Sequence, residues 1–524
     1  MLHDFGLSRR DILAGMGAGL ASLALPAAAF AQTGGRRILI IASNQDIPNF
    51  DPHIATGYSA SFLLRNVYDA LVRSEGDPPQ TRPGLATSWT SSPDGREFVF
   101  KLDPAARFHD GSPVSAQDVV YSFKRAVRLN KGNAWMIAGV VGPDSVSAVD
   151  DHTVKFALLK PFAAFLQVLP WIWVVSQKQV EANLGSDDGQ TFLRTRIAGS
   201  GPFKVGRAEP GALYELARAP DDWRKGGGNL TGAIWRITRE TAAQRLMLQR
   251  GEVHIAVDLT SEDMDALKDR PGVVSVIKPE YRTFSIKMNT RHGPLADIEL
   301  RRAISYAFNY KAMVDAAGYA ELMQGPLPKG ILGFDPDLVV PRADLARARE
   351  HLAKSRTPNG GFRLTMAHVS GLDQQRRWAL VLLDSLKQLG IDLDIKPMIW
   401  PDMVAATRSP ETTPDFFPVY QTANYADPDN IAFAAYHSSR NGNWQNPVYS
   451  DPQVDGLIEK GRAEQNEAAR VAIYKALQQK IVADAPDIFG VLELRKLALR
   501  DSVQGFAFTP VASNAVECGG LSLK

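Results

Sequence analysis

Few residues in this 524-residue chain are spaced for bond-making chemistry. The run Ala198-Gly-Ser-Gly-Pro202 comes nearest to a nucleophile elbow, the strained G-x-S-x-G turn that lifts a serine above a sheet. Its first glycine would have to be Ala198, so the run reads instead as a glycine turn entering a strand at Phe203. Gly226 to Gly228 lacks the downstream Gly-Lys-Ser/Thr of a phosphate loop and reads as a flexible turn. The nine histidines are scattered, with no pair at i, i+4 and no Cys/His spacing, so no protein-built metal site is expected. Asp427-Pro-Asp429 offers two carboxylates without the glycine and distal glutamate of a calcium loop. Cys518, the only cysteine, has Glu517 and two glycines as neighbours and no basic group to favour its thiolate. No catalytic residue, metal or cofactor is expected. Capture of a ligand is favoured over its conversion.

The elements that must position a ligand change character along the chain. Residues 36–42 form an apolar run that reads as a buried strand, and 59–72 carry a helical stripe of Phe62, Leu63, Val67 and Leu71. A β-rich region follows, in which Phe98, Phe100 and Leu102, and later Val154, Phe156 and Leu158, alternate with polar residues. Between them Ser115 is placed to cap a helix, Asp118 suits its first turn, and Val119, Val120, Phe123 and Val127 give one apolar face. From about Ile286 the pattern becomes α/β. Leu300, Ile304 and Phe308 stripe one helix, and Trp378, Leu382, Leu386 and Leu389 stripe another that Gly390 should end. The alternating Ile391, Leu393 and Ile395 then predict an αβ connection in a mostly parallel sheet. A single long helix is predicted over 454–483.

Hydrophobic residues make up 45% and charged residues 22%, an ordinary globular balance, and the length suits two or three domains. The formal charge of +2 gives no global pull on nucleic acid or anionic lipid, so no nucleic-acid partner is expected. Arg9 and Arg10 precede a short apolar run, residues 12–25, and the small-residue site Ala29-Phe30-Ala31. That is the layout of an export signal, and the arginine pair resembles a twin-arginine signal. The apolar centre falls short of the ~20 residues that span a bilayer, so cleavage after Ala31 and release into the periplasm are expected. With one cysteine no internal disulfide can form, and with none following the signal there is no acceptor for a lipid anchor.

Several segments, in order along the chain, resemble the extracytoplasmic solute-binding proteins of family 5, the peptide, nickel and opine binders of ABC importers. They are FDPH (Phe50 to His53), NVYDALV (Asn66 to Val72), ATSWTSSPDGREFVFKL (Ala86 to Leu102) and KLDPAARFHDGSPVSAQDVVYSFKRA (Lys101 to Ala126). GSGPFKV (Gly199 to Val205), DIELRRAISYAFNY (Asp297 to Tyr310) and YADPDN (Tyr425 to Asn430) complete the set. The resemblance implies a two-lobed α/β periplasmic binding protein fold, with a hinge and an extra β-rich domain inserted in the first lobe. Carried onto this chain, the first lobe takes 32–75, 197–283 and 497–524, the inserted domain 76–196, and the second lobe 284–496. It further implies a monomer that captures a small polar solute by hinge closure and delivers it to a membrane permease. Peptide-like compounds, opines and sugar conjugates all fit; a chelated metal or haem is a secondary version. An exported hydrolase and a ligand-presenting sensory protein are the readings from other classes.

The resemblance also nominates cleft residues. Peptide-binding members hold the ligand ammonium with an aspartate three residues before the Asp-Pro pair. Here that position is Asn424, and Gln421 replaces a frequent tryptophan, which predicts poor binding of ordinary free-amine peptides. Arg376 or Arg377 matches the arginine that binds the ligand carboxylate. Gln45 and Asp46 follow the first strand, where α/β crevices bind ligands. Trp400, Tyr420 and Tyr425 are candidate flat walls. Asp427 is a further candidate, although Asp-Pro-Asp is also a helix-capping pattern.

Overall fold

The computed structural model describes residues 35–224, 226–511 and 516–524. The expected signal and its cleavage site after Ala31 lie outside the described residues. An 11-stranded sheet runs through both lobes. On one side stand, in order, Phe203–Glu209, Leu213–Arg218, Gly232–Ile237, Ile38–Ser43 and Ile255–Ala256. On the other stand Phe416–Thr422, Arg363–Val369 and Asp392–Met398. Two long antiparallel strands, Val273–Met288 and Asp487–Arg500, join the two sides, and the short strand Ala320–Leu322 pairs with the second of them.

Each long strand begins in one lobe and ends in the other. Leu499 and Ala498 pair with Ile255 and Ala256, whereas Arg282 to Met288 pair with Thr422 to Phe416. Between these ends the ladder shifts register, between Pro279 and Thr283. Proline has no N–H to give a ladder, so Pro279 is compatible with the irregularity that follows it. A separate four-stranded antiparallel sheet, Ala86–Ser91, Glu97–Leu102, Thr153–Ala157 and Val146–Asp150, forms the β-rich region. Helix Ala116–Leu129 packs on it, started by a reciprocal capping box between Ser115 and Asp118.

Two expected helices differ. The first ends at Val67, because Tyr68 turns extended and the next residues pair as strands, Asp69 with Val174 and Val72 with Pro83. The stripe residues Phe62, Leu63, Val67 and Leu71 are nonetheless all fully buried. The predicted helix over 454–483 is two helices, Pro452–Ala463 and Glu467–Asp484. Glu464 adopts an extended conformation, and the Asn466 side chain accepts from the amide of Ala469 to start a new helix. The break lets the two helices pack together, with Gly461 against the Tyr474 ring, where an added Cβ would stand 2.8 Å from its Cζ.

The apolar interior divides unequally. One core holds first-lobe residues such as Leu39, Ile41 and Trp235 together with Phe98, Phe123, Phe156 and Phe165 of the β-rich region. Phe284, Leu300, Ile304, Trp378 and Leu386 centre a different one in the second lobe. The two bodies centre on different cores and are joined by the two long strands, with Tyr425 of the second lobe packing into the first lobe's core.

Candidate ligand-binding site

Four pieces of chain meet between the lobes. The first is the start of helix Tyr58–Val67, entered through Gly57 at φ 99°. The second is the 3₁₀ turn Gly132–Met136, which carries Asn133 and Trp135. Gly132 has φ 53°, and a Cβ there would lie 2.7 Å from the His53 carbonyl oxygen. Glycine thus lets this turn press onto the Phe50–His53 loop, whose side chains anchor it from behind. Arg125 makes a buried bidentate pair with Asp51 (2.8 and 2.6 Å) and donates to Nδ1 of His53 at 2.9 Å. The third piece is the end of strand Phe416–Thr422, running on to Asn424. The fourth is the loop 440–446, which Asn446 pins by donating to the carbonyls of His437 (3.0 Å) and Tyr449 (3.1 Å).

These pieces enclose a cavity of about 350 Å³. That is enough for a small solute, since ligand pockets run from roughly 300 to 1,000 Å³. Tyr58, Trp135, Trp171, Tyr420 and Trp444 supply aromatic surface; Asn133, Asn424, Asn443 and Gln445 supply amides. Thr56, Ser61 and Thr422 add hydroxyls. The lobes also touch directly here. Tyr58 Oη lies 2.7 Å from Thr422 Oγ1, and the Arg282 guanidinium sits 4.4 Å from the Tyr420 ring centroid and 5.7 Å from that of Tyr58. Burial opposes the Arg282 charge, but Tyr58, Glu493 and Tyr420 outweigh it and hold its pKa above the usual value. On the far side, Lys160 pairs with Glu459 at 2.8 Å.

Of the residues nominated from sequence, Tyr420 and Asn424 line this cavity. Trp400 stands behind the wall, 43% exposed and edge-on to Trp444 with centroids 5.3 Å apart. Gln421 points to the opposite face of its strand, as alternation requires, and is buried with its side-chain oxygen and nitrogen unpaired. Tyr425 is buried in the first lobe's core and donates to Asp429 at 2.8 Å. Asp427 caps helix Pro428–Tyr436 and takes a bidentate pair from Arg470 at 2.9 and 2.8 Å. Both are structural placements away from the cavity wall. Arg376 and Arg377 both reach to Asp373, at 3.0 and 2.9 Å, on an exposed helix face. Gln45 gives its carbonyl to the Trp235 indole at 3.1 Å. Asp46 accepts from Tyr214 Oη and from the amide of Ile47. Burial alone would raise the Asp46 pKa, but the Tyr214 hydroxyl and nearby main-chain donors hold it low.

Ser200 behaves as a structural residue. Its hydroxyl is buried and donates to Asp69 at 2.8 Å, while Gly199 and Gly201 lie against the Val67 backbone too closely for any Cβ. Cys518 is buried, and burial pushes its thiol pKa well up. Sequence reasoning missed Tyr58, Asn133, Trp135, Trp171 and the loop Arg440-Asn-Gly-Asn-Trp-Gln445. The last carried a legible signal: amides, an aromatic and a cation on a glycine turn, with no apolar period to make it core.

A family model described as "Bacterial extracellular solute-binding proteins, family 5 Middle" matches residues 80–443, more than half of the sequence. The chain belongs to that family. Among its curated relatives, the probable D,D-dipeptide-binding periplasmic protein DdpA of Escherichia coli K12 is 28% identical over 93% of this chain and 94% of its own length. The glutathione-binding protein GsiB of Pectobacterium atrosepticum is 26% identical, over 90% and 91%. Solved family folds superpose closely. DppA of Helicobacter pylori, in complex with the peptide STSA, gives a TM-score of 0.81 at 24% identity, covering 93% of this chain and 99% of that one. AgaA of A. tumefaciens R10, in complex with agropinic acid, gives 0.80 at 23%, covering 93% and 99%. The family assignment agrees with the two lobes and the cavity between them.

Proposed function

We propose that this family 5 protein is the periplasmic capture component of an ABC importer, taking a small polar solute in the cavity between its lobes. The carrying observation is that cavity: about 350 Å³, walled from both lobes by amides, hydroxyls and aromatic rings. The lobes are assigned 32–75, 197–283 and 497–524 against 284–496, with 76–196 as the inserted domain. The different core centres and the register shift at Pro279–Thr283 support a hinge near those boundaries. Closure takes both cavity walls out of water, so polar contacts to the solute form in a lower dielectric. Each buried polar group must then find a partner, or the complex loses roughly 1–3 kcal/mol per orphan. A micromolar complex needs only about −8 kcal/mol in total.

Export through the N-terminal signal, cleavage after Ala31 and a monomeric mature chain complete the proposal. The solutes named for the relatives, dipeptides, glutathione and agropinic acid, are the classes to test first. Native mass spectrometry of protein purified from the periplasm should show a co-purified small molecule on a chain beginning at Gln32. Small-angle scattering should show a smaller radius of gyration with that molecule than after its removal. A radius unchanged at saturation would remove hinge closure from the account.

A further inference from the structure

The cavity wall holds one charged side chain, Arg440, and no carboxylate among the described residues. Buried arginines elsewhere are answered by oxygen. Arg125 has Asp51, Arg470 has Asp427, and Arg301 donates to the carbonyls of Leu295, Ala296, Asp484 and Ala485. Arg440 is different. Its Nε is buried with no hydrogen-bond partner, as are those of Arg65, Arg282, Arg462 and Arg495, but each of those four still reaches a carboxylate or carbonyl oxygen. The Arg440 guanidinium reaches none among the described residues and rests 5.5 Å from the centroid of Trp135, another wall residue. Burial pulls its pKa down, with no neighbouring carboxylate acting in the other direction. A half-buried cation left in this state has lost hydration without gaining a counter-charge. The cost is recovered when an oxyanion arrives, and the planar guanidinium is shaped to take one in a bidentate pair.

We propose that Arg440 is the anion anchor of the cavity, and that the solute is an acid without a free ammonium group. This rests on the reading of the cavity as the solute site. A zwitterion would satisfy Arg440 but leave its ammonium facing a wall of amides, hydroxyls and aromatic rings. The amides of Asn133, Asn424, Asn443 and Gln445 both donate and accept, which suits hydroxyl or amide groups on the rest of the molecule. The flanking rings of Trp135, Trp171 and Trp444 suit its flat or sugar-like faces. An N-acylated amino acid, an acid whose nitrogen is closed into a lactam, a sugar acid and a sugar phosphate all meet this description.

The test is thermal shift and calorimetry on the mature protein with a paired panel. Each of those four acid types is set beside its carboxamide or neutral sugar, and free-amine dipeptides are included. Stabilisation confined to acids is expected, with carboxylates and phosphates separated by which pairs respond. Arg440→Gln should weaken the best acid at least tenfold, and Arg440→Lys should restore part of the loss because it keeps the charge. Near-ultraviolet circular dichroism of the ligand-free variants checks that the fold is intact. If Arg440→Gln fails to fold, the ordering of acids over their neutral partners on the unmodified protein decides alone. Binding of neutral or free-amine compounds as tight as that of the acids would overturn the anion assignment while leaving solute capture standing. An unchanged affinity in Arg440→Gln would overturn the role of that residue. No response from any compound would count against capture in this cavity, and against the anchor with it.

Discussion

Replacing Asn424 by aspartate should convert the cavity toward ordinary peptides. The side chain is half-buried in the wall, and its backbone N–H is held by Asn430 Oδ1 at 3.4 Å, so the near-isosteric change leaves the local chain in place. Among the described residues the wall contains no carboxylate, so an entering ammonium has only neutral acceptors. A hydrogen bond to a charged group contributes roughly 1.5–3 kcal/mol, which is about tenfold to a hundredfold in affinity. Another acid could supply the missing charge, and Asp46, just after the first strand, is one to consider. It is occupied by Tyr214 and the Ile47 amide and does not line the cavity. Free-amine di- and tripeptides should therefore bind the unmodified protein weakly and Asn424→Asp at least tenfold better. The natural solute should lose affinity for the variant, whose new carboxylate shares the cavity with Arg440. Calorimetry with dialanine and trialanine on both proteins measures this. Submicromolar binding of either peptide to the unmodified protein, or no gain in the variant, would refute the reasoning.

The contact between Tyr58 Oη and Thr422 Oγ1 joins the lobes, so Tyr58→Phe should remove about 0.5–1.5 kcal/mol from the closed arrangement. Calorimetry with the natural solute should show about two- to tenfold weaker binding in the variant; an unchanged affinity would show that the contact does not hold the lobes together. His53 gives a pH dependence. Its Nδ1 receives Arg125 and its Nε2 faces the Trp173 carbonyl at 3.0 Å, while burial first and then Arg125 push its pKa down to about 4. The unfolded chain takes up that proton near pH 6.5, so this contribution to stability is whole above about 6.5 and is lost as pH falls from there toward 4. Urea unfolding at several pH values should show stability falling over that window, and His53→Gln should flatten the slope. A slope unchanged by the substitution would contradict a neutral buried imidazole.

Local elements were legible wherever short-range chemistry decides them. Ser115 and Asp118 make a capping box because both partners lie within one turn, and Phe98, Phe100 and Leu102 face inward because strand alternation allows nothing else. Family membership was legible too, since Phe50 to His53 and Lys101 to Ala126 keep fixed residues in a fixed order. Their purpose was not. Asp51 and Arg125 stand far apart in sequence, and only the fold shows them as a buried pair supporting the back of the cavity wall. The same limit applies to the site. Tyr420 and Asn424 could be named from one segment, but Trp135, Trp171 and Arg440 come from other parts of the chain. Nothing local marks them as neighbours. Conversely, Asp427, Tyr425, Arg376 and Arg377 have the right types for a ligand site, yet Arg470, Asp429 and Asp373 already hold them. Residue type records what a side chain is able to bind. Which partner it meets depends on long-range packing, and here that packing left Arg440 facing the cavity without a carboxylate.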